Sequence, residues 1–258
     1  MDTVATPGPV TAALDQASRA ELAAALAALH RRDGLVVRTA DMMGRVGMRL
    51  LHPIGLVRDN KLLTTIAETA LERAYDVAIL GLNQQLPAAP GAGMRLVAAS
   101  GAMGGFAGPV GFLPDALFTT LLIMREIARA ARDAGEDLST EVGRAACVHV
   151  FTLREGDEAG YLSARFALQG TAARTLLAGV AARWGTVLGE KFAAQAVPLL
   201  GAVAGATLNT SFLAHYRRLA RAHFTIRRLE RIFGPAAIQA AAPELRPIDD
   251  ARFFEDRK

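Results

Sequence analysis

The sequence has a single cysteine, Cys147, in 258 residues. No intrachain disulfide can form, and no Cys/His zinc cluster can be assembled. Aromatic residues are scarce at 6%, with one tryptophan, so alanine and leucine must supply the apolar mass. Both favour helix. No segment alternates polar and apolar residues as a half-buried strand does, and no hairpin turn joins β-branched runs. The chain start lacks a basic-then-apolar leader, so a cytoplasmic location is expected. Charge is missing from two stretches. Leu96 to Pro114 has no charged side chain, and Phe192 to Tyr216 has none when His215 is neutral.

Absent motifs exclude several chemistries. There is no HExxH, no GxSxG and no phosphate-binding loop ending in lysine. The five histidines are scattered at 30, 52, 149, 215 and 223. No metal and no nucleotide cofactor is therefore expected. Cys147 lies in an apolar helical pattern, which predicts a buried, inert thiol. A net charge of +4 is too small for a general nucleic-acid binder, and no recognition motif is present.

What remains is an all-α chain with a 52% hydrophobic content. The expected organisation is a flexible tail over 1–15, one helical domain over 16–238 and a polar tail over 239–258. Ser18 and Glu21 predict a capping box before a helix through His30, closed by Asp33-Gly34. A methionine-rich segment covers Leu35 to Leu51, and Pro53 and Gly55 break the chain. An amphipathic helix is expected from about Lys61 to Leu82. Its buried face would carry Leu63, Ile66, Ala67, Ala70, Leu71, Ala74, Val77 and Ala78. The loop after Leu86 predicts a hinge. Pro114 and Asp115 fit the first turn of a helix ending at Gly135, where the dipole would satisfy the carboxylate. Further helices are expected over Glu141 to Leu153, Tyr161 to Arg183 and His215 to Phe233.

The charge-free stretches are rich in glycine at 101, 104, 105, 108, 111, 201 and 205. Their GxxxG spacings allow helices to approach closely. Phe192 to Tyr216 is long enough to span a bilayer, but Gln195, Thr207, Asn209, Thr210 and Ser211 dilute it. Tight helix packing is the better reading, with Asn209 satisfying backbone groups at a break.

The last helix has six arginines and one glutamate between His215 and Arg231. Phe212, Tyr216, Leu219, Ala222, Ile226, Leu229 and Phe233 form its apolar stripe. Arg217, Arg221 and Arg228, with Phe224, lie off that stripe. They present either a solvated face or a surface for anionic lipid headgroups. His223, Arg227 and Glu230 recur at i, i+4 and i+7, as an acid/base set or a helix-orienting network. A buried Asp115 would require a cation such as Arg165 or Arg228.

Ordered blocks from Gly101 onward resemble the EcsC family. They are Gly104-Gly105-Phe106, Leu113-Pro114-Asp115, Arg125-Glu126-Ile127-Ala128 and Gly135-Glu136-Asp137-Leu138. Tyr161 to Arg165, Pro198 to Ala206 with Asn209, and Ala222 to Arg231 closed by Gly234 follow. The resemblance is clearest over 101–234. Two departures occur: Ala222 stands where members often carry glycine, and the Pro114-Asp115 order is reversed. The resemblance implies a bacterial helical protein, cytoplasmic or peripheral at the inner membrane. The family's founding member is encoded beside an ABC transporter. The resemblance carries no catalytic residue over. The expected function is a non-enzymatic protein associated with an anionic membrane surface or a membrane protein. The alternative is an enzyme or lipid carrier with a cavity lined by Asp115, Asn209, His223 and Glu230.

Overall fold

The computed structural model describes residues 14–31, 69, 71, 73–80, 82, 92–106, 109–153 and 198–245. All regular structure among them is helical, as the composition requires. The methionine-rich segment, the hinge after Leu86, Arg165 and the Tyr161 to Arg183 helix lie outside the described residues, as do 1–13 and 246–258 of the two outer tails.

Helix α1 covers Gln16–His30. Its N-cap is Asp15, whose carboxylate accepts the Ser18 N–H at 2.7 Å. The expected capping box at Ser18 is thereby corrected. An aspartate three residues earlier satisfies an orphan donor and adds a turn. That hydrogen bond and the Ser18 hydroxyl hold the Asp15 carboxyl below the usual carboxylate range. Leu22, Ala25, Leu26 and Leu29 fill the buried face.

The expected second amphipathic helix is seen over 73–79, with Leu71, Ala74, Tyr75 and Ala78 buried. Val77 was expected on that face but is 46% exposed. The buried face centres on Tyr75, whose hydroxyl donates to the Leu138 carbonyl at 2.8 Å. Arg144 lies over its ring at 4.6 Å from the centroid.

Helices α2, Ala92–Phe106, and α3, Pro109–Asp133, follow. The expectation that a helix starts at Pro114 is corrected here. Pro109 takes the first position, and Pro114 sits inside α3. A proline there forfeits only its bond to the Val110 carbonyl, close to the frayed end. α3 ends as expected. Gly135 adopts φ 79°. Its N–H reaches Arg132 O at 2.9 Å, and the Glu136 N–H reaches Ala131 O at 2.9 Å. This paired closure needs a left-handed residue, hence glycine.

Helix α4 covers Glu141–His149 behind a Thr140 cap and runs into a 3-10 turn at Val150–Thr152. Helix α5, Pro198–Phe233, is 36 residues long, or about 54 Å. From Pro198 on, the apolar stretch and the arginine-rich stretch, read as separate segments, are one uninterrupted helix. α5 is the spine, packing on α1, α2, α3, the 3-10 turn and α6. Its stripe is buried as expected, from Tyr216 through Leu229, but Phe224, placed off the stripe, is buried too.

Gly234 closes α5 at φ 84°. Pro235 opens α6, Pro235–Leu245. The expected polar tail from 239 is corrected by this helix. Ile238, Ala241 and Ala242 recur at helical spacing and are buried, and α6 packs on α1 and α5.

Candidate functional site

The glycines place the first cluster. α2 and α5 run antiparallel, with Gly101 facing Gly205 and Val97 facing Asn209. A methyl group on Gly101 would lie 2.5 Å from the Gly205 carbonyl carbon and 2.7 Å from Asn209 Nδ2. One on Gly104 would lie 2.6 Å from Asp115 Cβ. Missing side chains thus create the room into which Asn209 and Asp115 reach. Gly105, Gly111 and Gly201 are helical, and Gly108 lies outside the described residues.

Asp115 is 3% exposed. Its position inside α3 overturns the helix-start reading, because six residues of helix precede it. Its Oδ1 accepts from Ser100 Oγ at 2.5 Å, Asn209 Nδ2 at 2.8 Å and Thr119 Oγ1 at 3.4 Å. The Asn209 amide also donates to Val97 O at 3.2 Å. Asn209 is fully buried and crosslinks three helices, α2, α3 and α5; no helix break surrounds it. Among the described residues, its Oδ1 accepts no hydrogen bond.

The histidine end is separate. His223 lies fourteen residues beyond Asn209 on α5, about 21 Å along the axis. Its ring meets His149 at 5.4 Å and Phe224 at 4.8 Å between centroids. Glu230, half-buried, is farther still. The expected common cavity for Asp115, Asn209, His223 and Glu230 is therefore not formed.

The arginines are mostly engaged. Arg227 grips Glu136 with both prongs, at 2.6 and 2.9 Å, and Arg231 joins them. Burial alone would raise the Glu136 carboxyl, but the two guanidiniums outweigh it and the net shift is downward. Arg217 pairs with Glu126 at 2.9 Å, and Arg129 takes its other oxygen at 2.7 Å. Arg228 pairs with Glu21, so it is not the cation for Asp115. Other arginines close helix ends. Arg218 donates to Ala28 O and to Arg31 O, the latter at 2.9 Å, and Arg231 to Ala134 O. Arg132 donates to Leu82 O at 2.6 Å. These carbonyls have no intrahelical donor, so a guanidinium from a neighbour completes them. Arg221 differs from the rest: it is exposed and meets no carboxylate or carbonyl among the described residues.

Cys147 is buried as expected. Burial and the Glu136 charge push its thiol up to about 12, against a smaller opposing pull from Arg227. Among the described residues, no group of histidine, cysteine and carboxylate side chains is placed to hold a metal.

One surface escaped the sequence reading. Leu96, Ala99, Met103 and Phe106 share the outer face of α2, opposite its glycines. Met103 is 73% and Phe106 78% exposed. Pro114, Leu117 and Phe118 form the outer face of α3. The signal was present as the seven-residue spacing of Leu96 and Met103, hidden because every residue of the stretch is uncharged. No helix among the described residues is long and apolar enough to cross a membrane.

No curated protein and no solved structure matches the chain. A family profile does, over residues 55–229, reaching well before the blocks beginning at Gly101. That span includes the Gly101–Gly205 contact, the Asp115–Asn209 cluster and most of the arginine row, and on it the chain belongs to the EcsC protein family.

Proposed function

We propose that the protein is a non-enzymatic membrane-associated protein that docks peripherally on the cytoplasmic face of a bilayer through the outer faces of α2 and α3. The carrying observation is the exposed Met103 and Phe106 on a helix with no charge beyond Arg95. Glycine and asparagine hold the inner face of α2 against α5, so the outer face is free for another surface. Burying two such side chains contributes on the order of 3–6 kcal/mol, enough for reversible attachment and too little for permanent anchoring. The arginine row gives this reading less support than its composition suggests. Its charges are largely spent on Glu21, Glu126 and Glu136, and it occupies the other half of α5.

Flotation of the purified chain on protein-free phosphatidylglycerol/phosphatidylethanolamine vesicles tests this. The chain should float, and Met103→Asp with Phe106→Asp should reduce the floated fraction at least tenfold. Both side chains are exposed, so helicity should not change. Flotation unaffected by the double substitution overturns the proposal. So does retention in cell membranes without flotation on protein-free vesicles, which would point to a membrane protein instead.

A further inference from the structure

The engaged arginines leave an open groove between α1, α3 and α5. It has two lobes that share Glu21, Arg217, Arg221 and Thr225. The larger, of about 600 Å³, is polar and adds Glu126, Arg129, Asp133 and Arg228. The smaller, of about 420 Å³, is walled by Ala24, Ala25, Ala28, Ala214 and Ala222, with Arg218 beside them, its guanidinium turned to the Ala28 and Arg31 carbonyls. Every carboxylate of the polar lobe already has a cation. Glu126 is held by Arg129 and Arg217, Glu21 by Arg228, and Asp133 by Arg132. Glu126 serves two arginines, and Arg221 pairs with no carboxylate among the described residues, so positive charge is in excess there, where the lobes join.

We infer that this groove binds a monomeric acidic amphiphile, its phosphate or carboxylate headgroup on Arg221 and Arg217 and its hydrocarbon along the alanine lobe. A cation with no counter-charge among the described residues, in an open and partly apolar cleft, favours an anion over water. Arg217 donates to Glu126 through Nε alone, which leaves its terminal nitrogens to join Arg221. Thr225, one turn on from Arg221, adds a hydroxyl. The alanines supply methyl-sized walls without blocking the cleft, which suits an acyl chain better than a bulky ring. The groove is distinct from the membrane-facing surface. Gly101 faces Gly205, so Met103 is level with about residue 203, and Arg221 lies about 27 Å farther along α5. That separation exceeds a Debye length several-fold, so the two surfaces act independently.

The test titrates the full chain with dodecyl phosphate below its critical micelle concentration, followed by calorimetry. Inorganic phosphate and dodecyl maltoside are the controls for headgroup and chain. Dodecyl phosphate should bind at least tenfold more tightly than either. Arg221→Gln and Ala214→Asp, both at exposed positions, should each weaken it at least tenfold while circular dichroism stays unchanged. Equal binding by wild type and Arg221→Gln overturns the inference. Inorganic phosphate binding as tightly as dodecyl phosphate also overturns it. So does Arg221-dependent binding to anionic vesicles without binding of the monomer, which would make Arg221 a bilayer contact. The Met103 and Phe106 substitutions should leave the titration intact, and Arg221→Gln should leave flotation intact, so either idea can fail without the other.

Discussion

The two halves of α5 hold their neighbours by opposite means. Over 198–213 the helix approaches α2 through missing side chains, and its one long polar group, Asn209, is fully buried. Over 214–233 its apolar stripe is buried in the core, and its polar contacts reach α1, α3 and the loop after α3 with long guanidinium arms that end on carboxylates and helix-end carbonyls. The first contact has almost no freedom, because backbone meets backbone. The second is adjustable, because an arginine can rotate about several bonds and find water instead. Substitutions at these contacts should therefore cost more in the first half than among the arginines of the second, although the second carries all the charge.

The largest effect is expected at Gly101. Gly101→Ala puts a methyl group against the Gly205 backbone, which has no flexible end to move aside. Overpacking typically costs about 1–3 kcal/mol, and a rigid backbone neighbour puts this one at the upper end or above, read as a lowered urea midpoint. A midpoint within experimental scatter of wild type would show that α2 and α5 can slide apart cheaply, and the contrast between the halves would break. Asp115→Ala comes next. It leaves the Ser100 hydroxyl and the Asn209 amide without their shared acceptor inside the helix junction. Each stranded donor costs about 1–3 kcal/mol. Asn209→Leu should cost less than Asp115→Ala, because it removes the buried Oδ1 that accepts no hydrogen bond along with the amide.

These positions also show what the sequence made legible. The helical class, the Gly135 closure and the α5 stripe followed from local rules, because caps and apolar periodicity act within a few residues. The glycine spacings announced close approach but not which pairs meet. Gly101 faces Gly205 only because α2 and α5 are antiparallel, a choice made more than a hundred residues apart in the chain. Asp115 was misplaced because proline is a strong start signal, and Pro109, five residues earlier, has the same signal. The arginine row was read as surface because charge usually is. Its carboxylates, Glu21, Glu126 and Glu136, come from two other helices and a loop, and no local pattern joins them to it. Val77 shows the reverse error: it recurs at the spacing of the buried face yet is exposed, because a helix buries a narrower stripe than its apolar residues mark.

A middle-sized effect is expected at the most buried ion pair of the second half. Glu136 is 7% exposed and accepts both prongs of Arg227. Arg227→Ala should cost about 1.5–3 kcal/mol, the range for hydrogen bonds to charged groups. The pair also sets a pH dependence. The net shift of the Glu136 carboxyl is downward, so the folded state releases its proton more readily than the unfolded chain. This contribution is complete above the unfolded carboxyl value and is lost as pH falls through the lower folded value. Glu136→Gln should therefore destabilise the protein near neutrality and flatten the acid side of its stability curve below about pH 4. An acid limb identical to wild type would mean that Glu136 is not the carboxylate responsible.

The smallest effect is expected at Arg228 and Glu21, both well exposed at their side chains. Water competes for each end, and fixing two long side chains offsets most of the attraction, so Arg228→Ala should cost less than about 1 kcal/mol. The residue is informative for that reason. If Arg228→Ala proves as costly as Arg227→Ala, the second half of α5 is as rigid as the first and the guanidinium arms are structural throughout. If instead its midpoint is nearly unchanged, Arg228 is free to swing away from Glu21. Adding 0.5 M sodium chloride separates the cases further, because an exposed pair weakens with salt whereas the Gly101–Gly205 contact has no charge to screen.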